Sequence, residues 1–189
     1  MKIIRTSFIS LAAMTILFGV IYPLFMWVVG QVFFRDEANG SLVYKEGKAI
    51  GSELIGQNFS TAAYFYPRPS AAGDKGYDAA NSSGSNLGPT SKKLIDTIVQ
   101  RATIYRAENG LDSSTQLPAD AVTSSGSGLD PHISVENALL QASRVAKARK
   151  LPKEVVVEII KENTEAPEFG LFGHTRVNVL LLNLSLDKK

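Results

Sequence analysis

The sequence predicts a mixed α/β protein in two parts: a single N-terminal transmembrane helix within residues 1–35, then one small soluble α/β domain over 36–189. Three observations predict it. From Thr6 to Phe34 no side chain carries a charge. Beyond that run, segments with helical apolar spacing alternate with short strand-like runs bounded by glycine and proline. Finally, Ser82-Ser83-Gly84-Ser85-Asn86-Leu87-Gly88-Pro89 recurs as Ser124-Ser125-Gly126-Ser127-Gly128-Leu129-Asp130-Pro131. Two copies are too few for a solenoid and suit paired loops of one domain.

At 1.5 Å per residue the uncharged run makes a helix of about 43 Å, against a hydrocarbon core of about 30 Å. Ile9 to Val29 is by itself long enough to span. Tyr22 and Trp27 suit interfacial or near-interfacial positions. Pro23 should kink the helix or mark contact with a neighbouring one, because it leaves a carbonyl unpaired in lipid. Lys2 and Arg5 hold the N-terminus in the cytoplasm and send the rest of the chain across. A cleaved signal peptide would have an apolar region of roughly 7–15 residues and a small-x-small cleavage site. Gln31-Val32-Phe33-Phe34-Arg35 offers no such site, so the segment is expected to stay as an anchor. The expected location is a cell (inner) membrane, single-pass, with the C-terminal domain extracytoplasmic.

Lysine and arginine total 20 and acidic residues 18. Only Lys2 and Arg5 precede the apolar run and no acid does, so the remainder is formally neutral. That argues against nucleic acid as a partner, since phosphate neutralisation needs a basic face. The absence of cysteine excludes disulfides, thiolate metal sites and cysteine nucleophiles.

Within the domain, Asp36 to Glu46 reads as a polar connector with a turn at Asn39-Gly40, and Gly51 to Phe59 as a short strand. Pro67 and Pro69 flank Arg68, which therefore sits on a stiff extended segment. Ala71 to Asn81 is a loop. Lys92 to Arg106 carries Leu94, Ile95, Ile98, Val99, Ala102 and Tyr105 at helical spacing, with Thr90 or Ser91 as cap and Asn109-Gly110 as stop. Leu111 to Asp120 reads as loop. A second helix is expected over Ser134 to Lys150, on the stripe Val135, Ala138, Leu139, Ala142, Val145 and Ala146. A third follows over Pro152 to Glu162, with proline in its first turn. Glu168 to Gly173 is a glycine-rich turn, and the apolar run Val177 to Leu184 reads as a buried strand.

In the repeated loops glycine permits positive φ, and serine hydroxyls can turn back onto nearby amides. Set before a helix, such a loop aims N–H groups at an anion or a carbonyl oxygen. Ser83, Gly84, Ser85 and Asn86 in the first copy, and Ser125, Gly126, Ser127 and Gly128 in the second, are thus candidate ligand contacts, with Gln141 nearby. The alternative is two well-capped helix starts.

No catalytic constellation emerges. His132 and His174 lack metal-ligand partners at helical spacing, so no metal site is expected. There is no Gly-x-Ser-x-Gly elbow, and no Gly-x-x-x-x-Gly-Lys-Ser/Thr phosphate loop. Asp130-Pro131-His132 is the most chemical-looking tripeptide, with an Asx-type turn as the structural alternative. Arg68 is either a ligand contact or half of an ion pair.

At these loops the chain resembles the KdpC family, the single-span subunit of the Kdp potassium-transporting P-type ATPase. The matching stretches are Gly51 to Gln57, Tyr64-Phe65 with Arg68-Pro69-Ser70, Ser83 to Pro89, and Val122 to Ser134. To these are added Ala138, Gln141, Arg144-Val145-Ala146, Arg149, Val177 to Leu180 and Leu182-Asn183. The resemblance implies a complex with a channel-like subunit that binds potassium, a P-type subunit that hydrolyses ATP, and a very small fourth subunit. It further implies an accessory role, described for the family as a catalytic chaperone that raises ATP affinity, so ATP is a ligand by resemblance alone.

ATP lies in the cytoplasm, whereas Lys2 and Arg5 place the domain outside it. The expected function is therefore a non-catalytic accessory subunit whose loops dock on the potassium-binding subunit, with Arg68, Asn86, Asp130 and His132 as partner contacts. Two alternatives stand beside it. One is a nucleotide-binding regulator using the loop residues and Gln141; the other is an anchored enzyme using Asp130, His132 and a loop serine.

Overall fold

The charge-free run is helical. In the computed structural model, which describes residues 1–189, α1 (Lys2–Ile16) passes through a π-helical turn (Leu17–Ile21) into α2 (Tyr22–Phe33). Together they form one helix of 32 residues with no buried residue, long and apolar enough to cross a membrane. Pro23 lies in the first turn of α2. Its missing N–H and its ring oppose a regular bond to the preceding turn, and the helix widens just before it. The single turn α3 (Arg35–Ala38) ends at Asn39. Met1–Leu42 makes one unit and Val43–Lys189 another.

The latter half of the expected connector is instead a hairpin strand, β1 (Leu42–Lys45), paired with β2 (Lys48–Ser52). The strand expected from Gly51 to Phe59 stops at Ser52. The Ser52 hydroxyl accepts from Leu54 N at 3.1 Å and turns the chain, and Gly56 N is drawn away to Leu129 O at 2.7 Å. Three helices follow the apolar periodicity. In α4 (Lys92–Asn109), Ser91 caps the start and Gly110, with φ 63°, closes the end. In α6 (Val135–Arg149), Ser134 accepts from Asn137 N. Pro152 precedes α7 (Lys153–Glu162). Part of the expected loop before Asp120 is taken up by a short helix, α5 (Ala119–Val122).

A small antiparallel sheet has the order β3-β5-β4, from β3 (His132–Ser134), β4 (Thr164–Glu165) and β5 (Arg176–Asn178). Here the expected strand over Val177 to Leu184 is corrected. Only Arg176–Asn178 is strand, and Val179–Leu186 is helix α8. Asn178 decides it, because its Oδ1 accepts from Leu180 N at 3.1 Å and Leu181 N at 3.3 Å and caps the first turn. An apolar run buried on several sides shows no periodicity, so helix and strand look alike in it.

The core joins Ile133, Ala142, Val145, Val156, Ile160, Val177, Leu182 and Leu186 with Phe65. Phe65 belongs to no strand. Its N–H and C=O pair with the Asn183 side chain at 2.8 and 3.1 Å, and those of Tyr66 with the Gln141 side chain at 2.7 and 3.1 Å. Two buried amides thus replace the neighbouring strand that this extended segment lacks. Arg144 adds bonds to Ala62 O and Tyr64 O at 2.7 and 2.9 Å, and its guanidinium lies 3.8 Å from the centre of the Tyr66 ring. Pro67 and Pro69 then continue the segment without N–H groups to satisfy, which brings Arg68 to its place.

Candidate functional site

The two repeated loops lie against each other. Ser83 N donates to Ser127 O at 2.9 Å and Ser82 Oγ to the same oxygen at 3.1 Å. Glycine is needed at two places in this contact. A Cβ on Gly84 would come within 2.8 Å of Gly126 O; one on Gly128, where φ is +68°, would meet Ser83 O at 2.6 Å and Ala72 N at 2.7 Å. Gly126 has open space around it, and Ser85, Asn86, Gly126 and Ser127 are exposed. Ser125 is buried, 3.5 Å from the Ser127 hydroxyl. Asn86 takes φ +51° and is exposed.

The second loop is the hub of its surroundings. Ser70 Oγ donates to Gly128 O at 2.6 Å and itself accepts from Tyr77 N at 2.8 Å; the Tyr77 hydroxyl bonds Arg68 O. Val179 N, at the start of α8, donates to Pro131 O at 2.9 Å. This copy leads first into β3 and only then into α6, whereas the first copy reaches α4 directly.

Arg68, Asp130 and His132 come together. Arg68 Nη1 lies 2.7 Å from Asp130 Oδ2, and Asp130 Oδ1 accepts from His132 N at 3.0 Å, closing an Asx turn, with His132 Nδ1 at 3.5 Å. Burial by itself would raise the Asp130 carboxyl; bonds from the His132 ring and N–H and from Arg68 outweigh it and hold the pKa at about 2. The polar contacts continue. His132 Nε2 is 3.8 Å from Glu165 Oε2, which pairs with Arg176 Nε at 2.9 Å. Arg68 Nε is buried without a hydrogen-bond partner. An open cleft of about 430 Å³ runs beside it, walled by Tyr66, Arg68, Tyr77, Arg101 and Glu108. Burial pushes the Tyr77 hydroxyl above its ordinary value, so it stays a neutral donor.

Gln141 stands apart from the loops in role. It is fully buried. Its Oε1 accepts from Tyr66 N and Arg144 Nη2 at 2.7 Å each, and its Nε2 donates to Tyr66 O and Asn137 Oδ1. No donor or acceptor is left for a ligand. Sequence reasoning missed Asp120, whose carboxylate accepts from Ser134 N, Ser134 Oγ and Asn137 Nδ2 at 2.8–2.9 Å and so ties α5 to the start of α6. The helix start at Ser134 was visible, but not the distant acid that completes its cap. No cluster of His, Cys, Asp and Glu is arranged to hold a metal ion.

A helix long and apolar enough to cross a membrane, followed by a small α/β domain with interlocked glycine–serine loops, is the build of a single-span membrane protein. The chain belongs to the KdpC family: a family model described as "K+-transporting ATPase, c chain" matches residues 4–188. Similar proteins include potassium-transporting ATPase KdpC subunits of Mycobacterium tuberculosis H37Rv, 55% identical over 178 residues (94% of each chain), and of Beijerinckia indica, 52% identical over 186 residues (98% of this chain, 93% of the relative). That of Nitratidesulfovibrio vulgaris is 47% identical over 187 residues, covering 99% and 94%. The chain is thus the accessory KdpC subunit of a potassium-transporting ATPase, a membrane complex.

Proposed function

We propose that the domain lies outside the cytoplasm and works without catalysis of its own, as a rigid fitting that docks on the potassium-binding, channel-like subunit and stabilises its assembly with the ATP-hydrolysing subunit and a very small fourth one. The observation that carries this reading is the interlocking of the loops. Gly84 and Gly128 are used in backbone-on-backbone contact, which leaves Ser85, Asn86, Gly126 and Ser127 as an exposed rim of fixed shape. Asn86 and the Arg68–Asp130–His132 group supply polar anchors beside it, and a pre-formed surface loses little entropy on docking. Lys2 and Arg5 ahead of the span support the orientation.

Affinity purification through a tag on this chain, from membranes expressing all subunits, tests the proposal. The larger subunits should co-purify, and Asn86→Ala with Asp130→Ala should weaken their recovery while each variant stays folded. Recovery of this chain alone would sink it.

A second reading keeps ATP as ligand, at Ser83, Gly84, Ser85, Asn86, Ser125, Gly126, Ser127 and Gly128. The open space beside Gly126 is what favours it. Gln141 does not fit this reading, being spent on Tyr66. A calorimetric titration of the purified chain with ATP separates the two, and a flat trace removes the second.

A further inference from the structure

We propose that the hairpin tip from Glu168 to Phe172 is an anchoring finger that seats Phe169, Leu171 and Phe172 in an apolar pocket of another subunit of the complex. This deepens the docking reading and rests on it. Phe169, Leu171 and Phe172 are 97%, 76% and 63% exposed, three large apolar side chains within four residues. Together they make a patch of the kind that marks an interaction site.

The tip is held in shape rather than left loose. Glu168 N and Phe172 O bond at 2.9 Å, as do Phe172 N and Glu168 O; Gly170 N reaches Pro167 O at 2.9 Å and Leu171 N reaches Glu168 O at 3.1 Å. Phe169 and Gly170 both take positive φ, at 53° and 70°. Asparagine, aspartate or glycine is the usual occupant of the first of two such positions. A phenylalanine there is disfavoured by its backbone and again by its exposed ring, so the folding of this chain gives no reason for it. Strain of this kind collects at functional sites.

The chemistry of the base selects a protein pocket over a lipid surface. Glu165 and Glu168 both pair with Arg176, at 2.9 and 3.7 Å, so two carboxylates share one guanidinium and the collar is net acidic. Loops and helices that seat in a bilayer surface carry spare lysine or arginine for the anionic headgroups. The collar is also continuous with the proposed docking group, because Glu165 stands 3.8 Å from His132, which abuts Asp130. The base of the finger therefore adjoins the Arg68–Asp130–His132 group, and buried aromatic anchors of this type carry most of the affinity of an interface.

The test is photo-crosslinking in the intact complex in its own membrane, with Phe169→p-benzoylphenylalanine. The expected product joins this chain to one larger subunit, at a single peptide identified by mass spectrometry. Phe169→Ser with Phe172→Ser should lower the recovered partner by at least tenfold while the circular dichroism of the variant stays unchanged. Adducts to lipid alone, no adduct, or full recovery of the partner with both serines in place would each overturn the finger. If those results come from a complex that co-purifies normally, the docking reading survives them; failure of the unsubstituted chain to co-purify removes both.

Discussion

Replacing Gly128 by alanine should separate the two repeated loops. The residue sits at φ +68°, where a side chain costs about 1 kcal/mol. The new Cβ would also lie 2.6 Å from Ser83 O and 2.7 Å from Ala72 N, both backbone atoms, so the chain itself must move. Moving it endangers the bonds Ser83 N–Ser127 O and Ser70 Oγ–Gly128 O, worth about 1 kcal/mol each. The expected loss is thus about 3 kcal/mol, or a midpoint lower by about 6–12 °C for a chain of this size. Gly84→Ala, which meets only Gly126 O and has no left-handed φ, should lose about 1–2 kcal/mol. Gly126→Ala has open space and no left-handed φ, and should raise stability by about 0.4–1 kcal/mol. Thermal unfolding of the full chain in detergent, followed by circular dichroism, gives the order directly. Equal damage at all three positions, or a silent Gly128→Ala, would refute the interlocked-loop argument. A Gly126→Ala variant that is stable yet inactive in the complex would point instead to a ligand or partner on the open side of the loop.

Three further outcomes are expected. Asp130, held at about 2 when folded against roughly 3.9 when unfolded, lends stability that is present above about pH 4 and is lost as pH falls towards 2. The effect is on the order of 2 kcal/mol, and Asp130→Asn should flatten that limb in acid titrations followed by circular dichroism. Gln141→Leu keeps the volume but strands the N–H and C=O of Tyr66, and denaturant titration should show about 2–4 kcal/mol lost, with no effect specific to any nucleotide. In this cysteine-free chain, Ser113→Cys, exposed and outside the proposed docking rim, should react with a membrane-impermeant maleimide added outside intact cells; labelling only after lysis would reverse the proposed orientation.

Much of this protein could be read without coordinates, because the signals are local. A charge-free run long enough to span, helical spacing in α4, α6 and α7, and stops such as Gly110 depend on neighbours within a turn or two. The repeated loops and the Asp130-Pro131-His132 tripeptide were equally visible. What only the tertiary structure decided involves partners far apart in the chain: the seating of Gly84 on Gly126 and Gly128 on Ser83, the Arg68–Asp130 pair, and the use of Gln141 and Asn183 as substitutes for a missing strand. It also decided that the apolar run after Asn178 coils instead of extending, since burial on several sides erases the periodicity that distinguishes the two. Local backbone preference is written in short stretches of sequence. Which buried amide finds which carbonyl is settled only when the whole domain closes around them.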